Sequence, residues 1–451
     1  MQSLDQFQAE RQLEQFSELL AGGRLKPVSR MLNALHPGEI AHLLESTPPG
    51  KRKLVWSLVD PDIAGEVLVE LGDEVRSSLI EGMNPKELIV AAEGMETDDL
   101  ADLIQDLPET VTSEILKLMD HQDRKRLEAV LAFEEDTAGG LMNTDTVTVR
   151  ADVTVEVVLR YLRLRGHLPR HTNHLIVVDR YERYQGVLRM EVLVTADVDL
   201  LVATVMQQDI PAISADIPAT EVAKIFAKRD LISAAVVDDK GRLLGRITVD
   251  DVVDIFRDEA EHNLMSRGGL NEEDDIFSPV LNSSKRRAVW LGVNLLTAFL
   301  ASWVIGQFQE TLEKVVALAV LMPIVASMGG VAGTQTLTLV IRGIALDQVG
   351  KKNINWLLFK EISVGFINGL FWAAIVAAIT ILWFGSVQIG GIIAAAMVVN
   401  LFFAALAGVL IPMVMRSLAI DPALAGGVVL TTVTDVIGFV TFLGLATLIL
   451  Q

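Results

Sequence analysis

Residues 423–450 read ALAGGVVLTTVTDVIGFVTFLGLATLIL, an apolar run whose single charge is Asp435. A helix crosses the hydrocarbon of a membrane with about 20 apolar residues, so this run is long enough to span it. A carboxylate at the centre of such a helix costs roughly 2.5–3.5 kcal/mol, and it is normally kept where it faces water, an ion or a partner. Asp435 is therefore the first candidate for an ion site. The alternative is an Asp that is protonated, or hydrogen-bonded to a neighbouring helix through Thr431, Thr432 or Thr434.

Four more hydrophobic stretches precede this one, which predicts five membrane crossings. They cover about residues 288–308, 315–342, 356–384 and 389–415. Basic residues flank the crossings almost entirely on one side: Lys285, Arg286, Arg287, Arg342, Lys351, Lys352, Lys360 and Arg416, against Lys314 alone on the other. The positive-inside rule then places residues 1–287 in the cytoplasm and Gln451 outside. The expected location is the bacterial cytoplasmic membrane, with several crossings of the lipid bilayer.

The charges divide the chain into two unlike parts. Six acids and six bases follow Arg287, so residues 1–287 carry 52 acids against 32 bases and the whole net charge of −20. Such an excess repels nucleic acid and attracts divalent cations, which excludes nucleic acid as an expected partner. The chain has no cysteine, and it lacks the HExxH, GxxxxGK[ST] and GxSxG motifs. No enzyme activity is therefore expected.

The N-terminal part carries a proline repeat. Pro37, Pro61 and Pro85 stand 24 residues apart, each after a His, Asp or Asn that can cap a helix. Proline suits the first helical turn because its missing N–H would be unpaired there anyway. The repeat predicts an all-α helical-repeat domain over residues 1–130.

The next part is a tandem duplication. TVTVRADVTVEVVLRYL, from Thr146, matches PAISADIPATEVAKIF, from Pro211, and LIVVDRYERYQGVLRMEVL matches AAVVDDKGRLLGRITVDDV. The second match aligns Asp179 with Asp238 and places a glycine seven residues later in each copy. Buried strands, a turn and a following helix are indicated in each copy. This resembles a pair of α/β CBS domains, at residues 137–198 and 199–257, and the resemblance implies control rather than catalysis.

The order of parts is similar to that of the MgtE family of magnesium channels. The resemblance rests on the helical repeat, EDTAGGLM from Glu135, the CBS pair, DVVDIFRDEAEHNL, and five membrane segments that contain GGVAGTQ and TTVTDVIGF. It implies a homodimer with a central pore in a five-helix domain at 285–451, and a plug or connecting helix at 253–280. Mg²⁺ would be both the transported ion and the ligand that closes the channel from inside, and the resemblance admits ATP at the CBS pair. The alternatives are a non-conducting membrane sensor of divalent ions or nucleotide, and a channel for another divalent cation.

Family resemblance also implies the residues of the pore. The backbone carbonyl of Thr431 would help hold the water shell of an ion at Asp435. The other pore-lining candidates are Gly329, Gly330, Val331, Gly333, Gln335 and Thr434. The glycines are expected to loosen or break the second membrane helix, and the alternative is close packing of helices through small residues. Two motifs depart from the family: Val331 stands where Asn is usual in GGN, and Val428 where Pro is usual in SGP or SNP.

The regulatory candidates are acids of the cytoplasmic part, and the resemblance supports several of them. Asp98 and Asp102 are spaced by one helical turn, so they share a helix face and repel unless a cation bridges them. The predicted regulatory metal residues are Asp98, Asp102, Asp230, Asp251, Asp254 and Glu259. The plug candidates are Asp258, His262 and Asn263, of which the last two stand where the family tends to have acids. The alternative for each acid is an ordinary solvated side chain.

Overall fold

The computed structural model describes residues 2–450 except 93–94, 106, 108, 271–274, 347, 351 and 419. The chain divides into two compact units. One comprises Met1–Ala260 with Glu273–Pro279, and the other comprises Glu261–Glu272 with Val280–Gln451. The chain therefore crosses from the first unit to the second at two places, after Ala260 and after Pro279.

The N-terminal part of the first unit is built from helices packed on one apolar core. Its helices are α1 (Gln2–Ala21), α2 (Leu25–Leu32), α3 (Pro37–Glu45), α4 (Pro49–Trp56), α5 (Ala64–Val69), α6 (Asp73–Ile80), α7 (Pro85–Ala92), α8 (Thr97–Gln105), α9 (Glu109–Leu118) and α10 (His121–Val130). Apolar side chains at helical spacing, such as Ile40, Leu43 and Leu44, are buried in this core as their spacing predicts.

The three repeated prolines each begin a helical segment. Pro37 begins α3 and Pro85 begins α7, whereas Pro61 begins a single 3-10 turn, Pro61–Ile63, that leads into α5. Asp60 Oδ1 accepts the N–H of Asp62 at 3.2 Å, and Asn84 Oδ1 accepts the N–H of Lys86 at 3.0 Å. These side chains satisfy N–H groups that have no partner inside the helix, which is why capping residues precede the prolines.

The duplicated region forms two three-stranded sheets of the same topology. The first contains β1 (Thr148–Arg150), β2 (His174–Val178) and β3 (Tyr184–Arg189), and the second contains β4 (Ile213–Ser214), β5 (Ser233–Val237) and β6 (Leu243–Thr248). In each sheet the first pair is parallel and the second antiparallel. Gly186 pairs with Val177 and Gly245 with Val236, so the two copies share one register. The helices of this region are α11 (Val155–Arg165), α12 (Met190–Thr195), α13 (Val202–Val205) and α14 (Ala219–Arg229).

The connecting helix α15 covers Val249–Arg267, so it begins inside the second copy and ends earlier than the predicted span of 253–280. Gly268 and Gly269 follow it, and Gly269 has a φ of 67°, a left-handed conformation that ends helices and favours glycine. The chain becomes helical again at Val280, where the first membrane helix begins.

Among the residues of the second unit that the structure describes, five helices are long and apolar enough to cross a membrane. They are α16 (Val280–Gly306), α18 (Ala317–Ala345), α19 (Ile354–Phe384), α20 (Val387–Ser417) and α21 (Pro422–Leu450). The short helix α17 (Gln309–Lys314) carries Glu310 between α16 and α18. The predicted fold class, a helical N-terminal domain followed by an α/β pair and five membrane helices, is confirmed.

One expectation about the membrane helices is wrong. The glycines at 329, 330 and 333 do not break α18, which stays helical from Ala317 to Ala345 with Pro323 inside it. Two of these glycines are contact points instead. A Cβ on Gly329 would collide with the Asn400 amide of α20, and one on Gly333 would lie 3.0 Å from the Leu430 side chain of α21. Close packing through small residues therefore explains the motif, and the backbone keeps its helical hydrogen bonds.

Candidate ion site and regulatory acidic cluster

Asp435 lies on α21, half-buried, about one turn beyond the exposed Thr431. A Cβ placed on Gly330 of α18 would lie 3.9 Å from Thr431 Cγ2, so the two motif helices meet at this level. Val331 is 57% exposed. Gln335 is exposed as well. Thr431, Val331 and Gln335 are thus accessible, and the half-buried Asp435 lies about one helical turn from Thr431.

The other predicted pore residues lie between helices. Gly329, Gly333 and Thr434 are buried. Thr434 Oγ1 donates a hydrogen bond to the carbonyl oxygen of Thr431 at 3.0 Å. That carbonyl is the predicted ligand of the water shell. A carbonyl oxygen has two lone pairs, and here the Thr434 hydroxyl engages it in addition to the helix.

Asn400 fixes the helices around the motif. Its side chain is fully buried, and Nδ2 donates to the carbonyl oxygen of Val325 on α18 at 2.8 Å. A Cβ on Gly438 of α21 would lie 2.9 Å from the same Nδ2. Asn400 therefore packs against both helices that carry the candidate pore motifs.

A second membrane carboxylate escaped the sequence reasoning. Glu361 of α19 is only 3% exposed. Its Oε1 pairs with Lys360 Nζ at 2.5 Å, and its Oε2 accepts the Thr336 hydroxyl of α18 at 3.2 Å. The signal was a carboxylate within a hydrophobic stretch, but its sequence neighbour Lys360 made the position resemble a loop end. Because Glu361 is paired and buried, it connects helices rather than facing an ion.

In the first unit, acids from two helix starts lie close together. Asp98 and Asp99 are in the first turn of α8, and Asp250 and Asp251 are in the first turn of α15. We call these four residues, with Glu96, the acidic cluster. Of the five, the sequence predicted Asp98 and Asp251. Asp99 and Asp250 could have been found from the paired acids in TDD, at 97–99, and VDD, at 249–251, because helix N-termini stabilise carboxylates.

Burial, and then the charges of neighbouring acids, raise the pKa values of Asp98, Asp99 and Asp251. Burial raises the pKa of Asp98 well above its usual value, and the charges of Asp99 and Glu96 raise it further. Burial and the charge of Asp98 do the same for the pKa of Asp251. Burial, together with Asp251 and other acids, raises the pKa of Asp99 to about 7. A nearby cation would reverse each of these shifts, since opposite charge favours the ionised form.

Neutral groups supply the hydrogen bonds of the cluster. Asn143 Nδ2 donates to Glu96 Oε2 at 2.5 Å and to Asp98 Oδ1 at 3.2 Å. The backbone N–H of Thr248 donates to Asp251 Oδ2 at 2.9 Å, and the Thr248 hydroxyl donates to Asp250. His171 Nε2 lies 3.1 Å from Asp250 Oδ2 at the exposed edge.

The cluster is not a closed metal cage. Within the described part of the chain, no three His, Asp or Glu side chains are placed to hold one metal ion together. Proteins hold Mg²⁺ through one or two carboxylates while the ion keeps several of its waters. Buried carboxylates in pairs therefore fit a hydrated Mg²⁺ better than an ion that needs many protein ligands.

The remaining regulatory candidates are spread more widely. The charge of Asp102 is one of those that raise the pKa of Asp99, after burial and the charges of Asp251 and Glu96. Partial burial and the charge of Glu70 raise the pKa of Asp254, which lies on α15. Asp230 is exposed and ends α14 with a φ of 52°, a local backbone role. Asp258 and Glu259 lie further along α15.

The plug candidate His262 contacts the start of the helix that carries Asp435. His262 Nε2 lies 3.0 Å from Asp421 Oδ2, and Asp421 Oδ1 accepts the N–H of Ala423 in the first turn of α21. Asn263 follows on the same helix. A protonated His262 would attract the Asp421 carboxylate, whereas an acid at this position would repel it.

Comparisons with known proteins agree with this architecture. A family model described as "Divalent cation transporter" matches residues 322–445, the MgtE intracellular N domain matches 35–136, and CBS domains match 138–199 and 202–258. The magnesium transporter MgtE of Thermus thermophilus is 31% identical over 96% of this chain and 97% of its own. The corresponding Bacillus subtilis protein is 26% identical over 95% of each chain. The crystal structure of the cytosolic domain of the Mg²⁺ channel MgtE in complex with ATP shares 33% identity, with a TM-score of 0.49, over 54% of this chain and 99% of that one.

A helical domain, a CBS pair and five apolar helices, the last of which carries Asp435 as its single charge, define the class: a multi-pass membrane protein of the ion-transporter type. Within that class, the chain belongs to the MgtE family.

Proposed function

We propose that this protein is a magnesium channel of the cytoplasmic membrane, which lets Mg²⁺ enter and closes when internal Mg²⁺ is high. The observation that carries the proposal is Asp435, a half-buried carboxylate on an otherwise uncharged membrane helix beside the GGVAGTQ motif. The Thermus and Bacillus relatives are named magnesium transporters. The positive-inside rule supports a cytoplasmic first unit.

A homodimer would complete the ion site. A two-fold axis alongside α21 would bring the Asp435 carboxylates of two chains together. Their repulsion would fall when a dication stands between them, so the pair favours a divalent ion over a monovalent one. A hydrated Mg²⁺ would be held through its waters by the carboxylates and by backbone oxygens such as that of Thr431.

The acidic cluster would be the sensor of internal Mg²⁺. Its buried carboxylates are protonated or repel one another without a cation, and Mg²⁺ would replace the protons and hold α8 against α15. Ligand binding shifts the protein towards the state that binds it better, so internal Mg²⁺ would stabilise the state with these helices together. We propose that this state is the closed one and that α15, with Asp258, His262 and Asn263, forms the plug.

Flux through purified protein in liposomes tests the proposal. Vesicles that contain a Mg²⁺-sensitive dye should fill when Mg²⁺ is added outside, and Asp435→Asn vesicles should not. A wild-type protein that is folded and dimeric but admits no divalent cation would refute channel activity and would favour the non-conducting sensor. Entry of another divalent cation in preference to Mg²⁺ would instead change the assigned ion. ATP at the CBS pair stays a prediction, which a nucleotide-binding measurement on the full chain tests.

A further inference from the structure

The four residues 275–278 stand just before the first membrane helix, and they lie against the N-terminal helices. Ile276 is 91% exposed and Phe277 is 38% exposed, so apolar burial does not hold this segment in place. Polar contacts with α4 and α6 hold it instead.

The first contact is a buried ion pair. Arg52 Nη2 of α4 lies 2.7 Å from Asp275 Oδ2, and the two side chains are only 3% and 9% exposed. Arg52 is fixed before it meets Asp275, because Nε donates to the carbonyl oxygen of Leu44 at 3.2 Å and Nη2 donates to that of Glu45 at 3.2 Å. The end of α3 thus orients the guanidinium towards the segment.

The second contact comes from α6. Glu74 Oε2 accepts the backbone N–H of Asp275 at 3.0 Å, and Glu74 Oε1 accepts the hydroxyl of Ser278. Asp275 also closes its own turn, since its Oδ1 accepts the N–H of Phe277 at 3.0 Å. We call Arg52, Glu74, Asp275 and Ser278 the clasp.

The clasp resists separation for a physical reason. Pulling a buried ion pair apart leaves two buried charges without partners, which is far more costly than breaking an exposed pair. Only Pro279 stands between Ser278 and Val280, the first residue of α16. The N-terminal helices are therefore fastened within two residues of a membrane helix.

We propose that the clasp is a second mechanical connection between the N-terminal helices and the membrane helices, in addition to α15. It rests on the proposed function: motion of the N-terminal helices on binding or losing Mg²⁺ would pull on the start of α16 through the clasp. Gating would then act on α16 as well as on the plug.

The test compares the inhibition of wild-type and variant channels by internal Mg²⁺, recorded in membrane patches whose cytoplasmic face is perfused. Asp275→Asn keeps the shape of the side chain and removes its charge. It should raise the Mg²⁺ concentration for half-inhibition roughly fivefold or more, the usual size of coupling between sites, and leave the maximal current unchanged. Ser278→Ala removes one hydrogen bond and should shift the curve less, in the same direction. Asp73→Asn is the matched control, because Asp73 neighbours Glu74 on α6 but is 60% exposed and pairs with Arg76 instead.

A second measurement replaces the clasp by a covalent link. Because the chain has no cysteine, Glu74→Cys with Ser278→Cys gives a unique thiol pair for a short bifunctional cross-linker. Joining the pair should restore the wild-type Mg²⁺ response that the two substitutions weaken. If the cross-linked channel responds as the unjoined one does, or if Asp275→Asn responds as Asp73→Asn does while wild type is inhibited, the clasp transmits nothing and the proposal is overturned. A wild-type channel that internal Mg²⁺ does not inhibit would overturn the proposed gating and the clasp together.

Discussion

Replacing Asp99 with Asn should remove a large electrostatic cost from the ion-free protein. The pKa of Asp99 rises from 3.8 to about 7, and each pKa unit corresponds to about 1.36 kcal/mol. The ionised carboxylate therefore disfavours the folded state by up to about 4 kcal/mol above pH 7. A domain of this size gains roughly 2–4 °C in melting temperature for each 1 kcal/mol, so the ion-free variant should melt several degrees higher at pH 8.

The sign of the pH dependence follows from proton binding. Between pH 4 and 7 the folded protein keeps a proton on Asp99 that the unfolded chain has lost, so folding stability falls as the pH rises through this window. Above pH 7 this loss is complete. In Asp99→Asn the contribution of Asp99 should be absent while those of Asp98 and Asp251 remain, so the variant should lose less stability than wild type, and below pH 4 the two proteins should differ little. Mg²⁺ should stabilise wild type more at pH 8 than at pH 5, because protons compete with it at the lower pH.

Thermal unfolding of the full chain in detergent, with chelator or with Mg²⁺ at several pH values, measures these effects. Asp239→Asn is the control, since it makes the same charge change at an exposed turn of the second CBS domain. The reasoning is refuted if Asp99→Asn and wild type lose stability in parallel between pH 4 and 7 in chelator. It is equally refuted if Mg²⁺ stabilises both proteins by the same amount at pH 8.

Four further outcomes are expected. Asp435→Ala should abolish divalent cation uptake in liposomes while size-exclusion chromatography shows a folded dimer; wild-type flux would remove Asp435 from the ion site. Deleting residues 1–130 should weaken inhibition by internal Mg²⁺ in patch recordings without blocking conduction, because three of the five residues of the acidic cluster are lost. Val331→Asn should strengthen Mg²⁺ binding roughly tenfold and sharpen selectivity, measured by competition between divalent cations, since a hydrogen bond to a charged group is worth at least about 1.5 kcal/mol. Glu361→Gln should destabilise the membrane unit in detergent by about 1 kcal/mol, because it removes the ion pair of Glu361 with Lys360, whose side chain is 41% exposed, whereas Glu313→Gln at an exposed position of α17 should not.

The sequence was most informative where local chemistry determines the structure. Proline spacing located helix starts at Pro37 and Pro85 because the ring fits only the first turn. The alignment of Asp179 with Asp238 located equivalent turns: each carboxylate accepts the N–H two residues ahead, at 2.7 and 2.9 Å. Hydrophobic length located the five membrane helices, since the bilayer sets a minimum.

Tertiary contacts could not be read in the same way. The glycines of GGVAGTQ serve helix spacing because Asn400 and Leu430 approach them, and neither residue is near in sequence. Asp99 and Asp250 belong to the acidic cluster because α8 and α15 begin close together. The helical spacing of residues within one segment cannot show this. The pairing of Glu361 with Thr336 likewise depends on how α18 and α19 pack.

The β2–β3 hairpin and the β5–β6 hairpin are hydrogen-bonded to one another at their turns. The N–H of Tyr184 donates to Gly241 at 3.0 Å, and the N–H of Leu243 donates to Glu182 at 2.9 Å. The backbones of Arg183 and Arg242 form an antiparallel β-bridge between the hairpins. The Tyr184 hydroxyl donates to the carbonyl oxygen of Ile210 at 2.7 Å. These hydrogen bonds resist bending between the two CBS domains, so we expect the pair to move as one rigid body. Because β6 ends at Thr248 and α15 begins at Val249, we expect a displacement of the pair to move the start of that helix as well.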